Sequence, residues 1–253
     1  MLKLEDISNK VYFDFRRAQL DAMKTERLGT THVSDLIKPC MRNVMYSKFL
    51  PNTGRDSEDI RSLYVGQAIH NASMVADEEH HEMFLAYDWT RDEPISYEEA
   101  KNLPENDPKH LDIIYGSVDD LVKVGDQWVI TDKKTTGSID YFSKYNSKPS
   151  ESHVAQINRY RVLLDKCYNI DAKFGAVIYI SNTVNKEKKD KPIVLSFKLQ
   201  PIEETLKDMI IKAKIIKESI QKKTLPEQTK CFLCDGFCPY ATKCFSEDSN
   251  KID

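Results

Sequence analysis

The chain has 253 residues, a formal net charge of −3, 40% hydrophobic and 30% charged residues, enough for one sizeable core or one domain with an appended element. No apolar run approaches the about twenty residues of a membrane span, and the opening MLKLEDISNK lacks the apolar stretch of a secretory signal, so a cytoplasmic protein with no membrane contact is expected. The near balance of charge excludes a uniformly basic surface; any nucleic-acid site has to be a local patch among acidic ones.

In chain order, apolar spacing predicts helices over 5–25 and 58–77, with polar linkers over 51–57 and 91–110, where NLPENDPKH punctuates. Strands are predicted over 112–124 and 127–136, then a helix over about 150–167. Apolar strands near 173–181 and 193–199 flank the lysine-rich NTVNKEKKDKP, read as a solvated hairpin end. An amphipathic helix over 201–222 leads into a cysteine-rich tail. There is no internal repeat and no low-complexity tract. The expectation is a single α/β unit: a mainly helical part over 1–110, a core over 111–200 and a helix with a tail over 201–253.

The stretch GSVDDLVKVGDQWVITDKKTT, residues 116–136, crowds like charges into a hairpin. Gly125-Asp126 suits the central positions of a type II′ turn, which pairs Val124 with Gln127. Stepping outward, Asp119 then lies across from Asp132, with Cβ atoms about 4.5–5.5 Å apart. Lys134 shares the face of Asp132, whereas Asp120 and Lys133 project to the other face. Facing carboxylates destabilise a sheet and raise one carboxyl pKa unless a cation intervenes, and a divalent ion with oxygen ligands meets that need. A merely solvated acidic hairpin is the plain alternative from these residues alone.

Four elements in order carry a resemblance: GQAIH (Gly66 to His70), G-x-x-D (Gly116, Asp119), D-x-K (Asp132, Lys134) and QINRY (Gln156 to Tyr160). Together they resemble the PD-(D/E)XK nuclease superfamily in its RecB-like branch. The resemblance implies a restriction-endonuclease-like fold, a mixed central sheet flanked by helices. It implies Mg²⁺ or Mn²⁺ held by His70, Asp119, Asp132 and the main-chain carbonyl of Lys133. It further implies that Lys134 assists the attacking water, with Asp119, Asp132 and Lys134 catalytic, and that Gln156 and Tyr160 orient the substrate. Phosphodiester hydrolysis suits these residue types, because a metal ion generates the nucleophile and an ammonium steadies phosphate charge.

Cys40, in VSDLIKPCMRNVMY, lies far from the tail CFLCDGFCPYATKC with Cys231, Cys234, Cys238 and Cys244. Three tail thiolates with Cys40 would supply the ligands of a [4Fe-4S] cluster that fastens the two ends together. The C-x-R-x-x-x-Y of Cys40, Arg42 and Tyr46, with CPYATKC, resembles the iron-sulfur RecB-like exonucleases, including the CRISPR-associated Cas-four proteins and the nuclease domain of AddB. The tail departs from that family's spacing by one spare cysteine, so the expected ligands are Cys40, Cys234, Cys238 and Cys244, with Cys231 a substitute for Cys234. From spacing alone a Cys₄ zinc site is the rival. Cys167 is expected to be a buried, inert thiol.

The resemblance implies a metal-dependent exonuclease acting on single-stranded DNA or DNA ends, with protein partners in repair, recombination or CRISPR adaptation. Two alternatives stand beside it: a nuclease processing CRISPR spacer precursors, and an inactive DNA-binding or assembly module with a zinc site. Arg42, Lys144, Lys148 and Arg159 are weak candidates for phosphate contacts.

Overall fold

The computed structural model describes residue 10 and residues 29–50, 65–69, 75–142, 147–182 and 191–246. The helix expected over 5–25 and most of that over 58–77 fall outside these residues, although 65–69 are helical. In chain order the described elements are β1 (Thr31–His32), α1 (Val33–Leu36), α2 (Met41–Phe49), β2 (His81–Asp88), β3 (Glu93–Pro94), α3 (Tyr97–Asn102), β4 (Ile113–Val124), β5 (Gln127–Thr136), α4 (Glu151–Tyr168), β6 (Phe174–Ser181), β7 (Ile193–Lys198), α5 (Ile202–Lys222) and α6 (Ala241–Cys244). They build a mixed α/β fold, a seven-stranded sheet in the order β3-β2-β4-β5-β6-β7 with β1 beside β4. Pairing is antiparallel except for β1 with β4 and β5 with β6.

The β4–β5 hairpin forms as the turn chemistry demands. Gly125 takes a φ of 59°, which costs a glycine little, and Asp126 stays out of the left-handed region. Val124 faces Gln127, and the ladder runs outward to Asp120 opposite Thr131. Between the parallel strands β5 and β6 the chain returns through α4, the crossover such pairs require. Asn169, left-handed at φ 54°, ends α4; its amide bonds back to Asp165, and that of Ile170 to Leu164.

Ile157, Tyr160, Leu163 and Leu164 of α4 enter the main core, which they share with Ile114, Val118, Leu121 and Ile130 of the hairpin. On α5 the stripe Met209, Ala213 and Ile216 is fully buried in that core. Gly175 exists because of this packing: a Cβ there would stand 2.8 Å from Ile157 Cγ2 and Phe197 Cζ, closer than carbon atoms tolerate.

The 91–110 linker is a correction. It holds β3, α3 with a reciprocal capping box between Ser96 and Glu99, and a 3₁₀ turn over Pro108–Asp112. Strand β2 just before it shows no alternation in the sequence because Leu85, Ala86 and Tyr87 are all buried, Leu85 and Tyr87 in the main core and Ala86 in a second cluster with Ile113 and Tyr115. A strand covered on both faces loses the alternation that marks one covered on a single face.

Candidate active site

Asp119 and Asp120 are adjacent on β4, and alternation gives them different surroundings. Asp120 is wholly buried and serves as an anchor: its Oδ1 accepts the amides of Val75 and Ala76, both at 3.1 Å, and His81 Nδ1–H at 2.8 Å. Its Oδ2 lies 2.9 Å from Lys133 Nζ, so the two side chains assigned to the far face do meet there. Burial by itself would raise this carboxyl; the amides of Ala76 and Val75, Lys133 and His81 outweigh it and hold Asp120 below the ordinary carboxylate value.

On the other face stand Asp119, Asp132 and Lys134. Asp119 Oδ2 accepts the main-chain N–H of Lys133 at 2.8 Å, which fixes it beside the start of D-K-K. Asp132 is 1% exposed; Lys134 Nζ donates to its Oδ1 at 2.9 Å and lies 2.8 Å from Oδ2. Burial pushes the Asp132 carboxyl up to about 6; Lys134 pulls against that shift and the Asp119 charge adds to it. Glu82, whose neighbours His81 and Met83 pair with Asp120 and Val118, is left-handed at φ 47°. Such a residue inside a strand bends it, here across from Asp119.

Helix α4 lays His153, Gln156 and Tyr160 along one face, three and four residues apart. Gln156 Nε2 donates to Tyr160 Oη at 2.8 Å. Tyr160 is held over β4 because position 116 is glycine: a Cβ there would stand 3.2 Å from the tyrosine ring, from Leu163 and from Val33. His153 was not foreseen. Its Nδ1 lies 2.9 Å from Tyr179 Oη, and Tyr179 pairs with Lys134 across the β5–β6 ladder. Burial, with Lys134 adding, pulls the imidazole down to about 4. Its spacing from Gln156, one helical turn, was the signal available in the sequence.

The helical stretch 65–69 docks on β5 next to Lys134, since a Cβ on Gly66 would stand 3.2 Å from Thr135 Oγ1. His70, expected as a metal ligand, lies outside the described residues, as does Lys144. Among the described residues no three His, Cys, Asp or Glu side chains gather into a group able to hold a metal ion. Two phosphate-contact candidates are corrected. Arg159 is buried and committed to Asp208 and the Ala155 carbonyl, and Arg42 is 2% exposed beside Tyr46. Both are core cations. Lys148 is exposed.

The tail does return to the N-terminal region. Tyr240 stacks on Tyr46 with ring centroids 5.4 Å apart, Cys244 is buried with them, and Asn43 Nδ2 lies 3.2 Å from Cys238 Sγ. Burial raises the Cys244 thiol; Arg42 opposes, and Cys40, Cys234 and Cys238 all bear on it electrostatically. Cys231 Sγ is 3.8 Å from Cys234 Sγ. The six cysteines form no disulfide. Cys167 is half-buried, its thiol pushed up to about 11 by burial, as an inert cysteine should be.

A cleft of about 580 Å³ opens at the other end of β5, lined by Gln127, Arg161, Lys173, Phe174 and Lys198 among others, and does not contain the carboxylates. No family model and no curated protein sequence matches the chain. Among solved structures, the crystal structure of SSO0001 is similar over 94% of this chain and 96% of its own, at 15% identity and a TM-score of 0.49. LHK-Exo in complex with dAMP is similar over 78% of this chain and 90% of its own, at 10% identity and 0.43. An alkaline exonuclease, LHK-Exo from Laribacter hongkongensis, is similar over 78% and 94%, at 10% and 0.40. Likenesses this distant assign neither activity nor site residues.

Proposed function

We propose that the chain is a divalent-metal-dependent deoxyribonuclease of the PD-(D/E)XK kind, cutting single-stranded DNA or DNA ends exonucleolytically. The observation that carries this reading is the hairpin register. It runs out to Asp120 opposite Thr131, with Asp120 and Lys133 a structural pair on one face; beyond it Asp119 accepts the Lys133 amide and Asp132 grips Lys134, which supports reading these three as the site. The donor set fits a hard cation: two carboxyl groups, one of them buried and raised by that burial and by the charge of the other. Asp119 and Asp132 would hold Mg²⁺ or Mn²⁺, joined on the family resemblance by His70 and the Lys133 carbonyl. A bound dication supplies a hydroxide-like nucleophile near neutral pH and neutralises charge on the phosphate. Lys134, with three donors and no acceptor, holds the water or a nonbridging phosphate oxygen once Asp132 is occupied elsewhere. Gln156 and Tyr160, already hydrogen-bonded to each other, orient the strand.

The test incubates end-labelled single-stranded DNA with Mg²⁺ or Mn²⁺ and compares wild type with Lys134→Ala. Shortening by wild type alone, with unchanged melting of the variant, is the expected result. DNA retained by both proteins and shortened by neither would mark a binding module instead.

The return of the tail to α2, with Tyr240 stacked on Tyr46 and Asn43 beside Cys238, supports a second part of the reading, in which ligation draws Cys40, Cys234, Cys238 and Cys244 around a [4Fe-4S] cluster, with Cys231 adjacent to Cys234. Anaerobically purified protein should be brown, with broad absorption at roughly 400 nm. Colourless protein carrying one zinc would replace the cluster with a zinc site and leave the nuclease reading standing.

A further inference from the structure

Tyr179 Oη has two neighbours on this side of the sheet. The amide of Ser150 donates to it at 3.0 Å, and His153 Nδ1 lies at 2.9 Å. A phenol carries one proton. With the oxygen already accepting from Ser150, the arrangement that gives this buried proton an acceptor among the described residues has it donated to His153 Nδ1. Nδ1 is therefore bare. The ring is neutral, because burial and the nearby Lys134 ammonium oppose a second charge. A neutral imidazole with a bare Nδ1 carries its proton on Nε2. Nε2 meets no hydrogen-bond partner among the described residues, and His153 is only half-buried, so the N–H can reach a ligand.

Tyr179 is itself locked: its ring stacks on Phe142 at 3.7 Å between centroids, 14° from parallel, and its backbone pairs with Lys134. The chain Ser150, Tyr179, His153 thus fixes both the tautomer and the orientation of one imidazole beside the lysine that grips Asp132. We propose that His153 Nε2–H is a substrate-binding donor that holds a nonbridging oxygen of the scissile phosphate alongside Lys134, with Tyr179 as the residue that sets its tautomer. The proposal rests on the nuclease reading and adds to it a donor that is neutral in the free protein.

Two measurements test it. Long-range proton–nitrogen spectra of ¹⁵N-histidine protein, with His153 assigned from His153→Gln, should show Nδ1 unprotonated and Nε2 protonated in wild type, and a mixed tautomer in Tyr179→Phe. A protonated Nδ1 in wild type overturns the proposal. In cleavage assays His153→Phe, which keeps an aromatic ring but no donor, should lose on the order of 10²-fold in kcat/KM. His153→Gln should recover part of that loss through its amide N–H, which a merely structural role would not produce. Wild type that cuts DNA no faster than His153→Phe, with both folded by circular dichroism, refutes the donor alone. Wild type that cuts no DNA removes the nuclease reading and the donor's role with it.

Discussion

Asp119 and Asp120 are the same amino acid in consecutive positions, yet their surroundings differ. Asp120 Oδ1 collects two amides and His81, and Oδ2 pairs with Lys133, all in a site with no exposure. Removing its charge strands a buried ammonium, so Asp120→Asn should cost about 3 kcal/mol of stability. Asp119→Asn keeps an oxygen to accept the Lys133 amide and should melt within ~1 kcal/mol of wild type while losing cleavage. Thermal melts paired with the DNA assay check both, and equal destabilisation would contradict the division. His153 adds a pH dependence at the same scale. Unfolded, it takes a proton near its ordinary 6.5; folded, it refuses one until about 4. Across that window the unfolded state binds more protons, so stability rises with pH. Asp132, raised to about 6 in the fold, contributes the opposite slope between 3.8 and 6. Denaturant titrations in metal-free buffer should therefore show His153→Gln losing the rising component: relative to wild type, the variant gains stability as pH falls from 6.5 towards 4.

At the scale of elements, α4 carries Gln156 and Tyr160, the side chains proposed to meet substrate, and its height over the sheet is set by a glycine. With hydrogen at position 116, Tyr160 and Leu163 rest directly on β4; a methyl group would stand 3.2 Å from each and from Val33. Gly116→Ala must lift the helix by a few tenths of an ångström, which overpacking costs at about 1–3 kcal/mol. Tyr160 moves with it, and Gln156 is hydrogen-bonded to Tyr160. The expected outcome is a lowered melting temperature together with a loss in kcat/KM for DNA; a variant with wild-type cleavage would show that the helix height does not matter. Strand β2 makes a related point. Its buried run Leu85 to Tyr87 is covered from both sides, and the Glu82 distortion lies where β2 passes Asp119.

For the molecule as a whole, the decisive contact is between distant parts of the chain. Tyr46 stacked on Tyr240, and Asn43 beside Cys238, tie α2 to the tail. If a metal group sits there, ligation contributes to folding. Cys40→Ala should then lose about 2 kcal/mol, lowering the melting temperature by roughly 4–8 °C for a chain of this size. Cys167→Ala should lose less, because that thiol only donates to the Ala86 carbonyl at 3.3 Å. Equal melting of the two variants, measured anaerobically, would contradict the metal-group reading. Among the described residues no helix is long and apolar enough to cross a membrane.

Local chemistry was enough to read the hairpin. Gly125-Asp126 specifies the turn, the turn specifies the register, and the period of two then separates Asp119 from Asp120 and Lys134 from Lys133. Helices α4 and α5 were legible for the same reason, as each carries its apolar stripe within one continuous segment. What only the tertiary structure decided involves partners far apart in sequence. Lys133 meets Asp120 in a site closed by the amides of Val75 and Ala76. Arg159 turns inward to Asp208 instead of outward to phosphate. Tyr179, from the strand after α4, brings its hydroxyl to Nδ1 of His153. Periodicity fixes the face a side chain points to, but burial, charge pairing and tautomer depend on what the rest of the chain brings to that face.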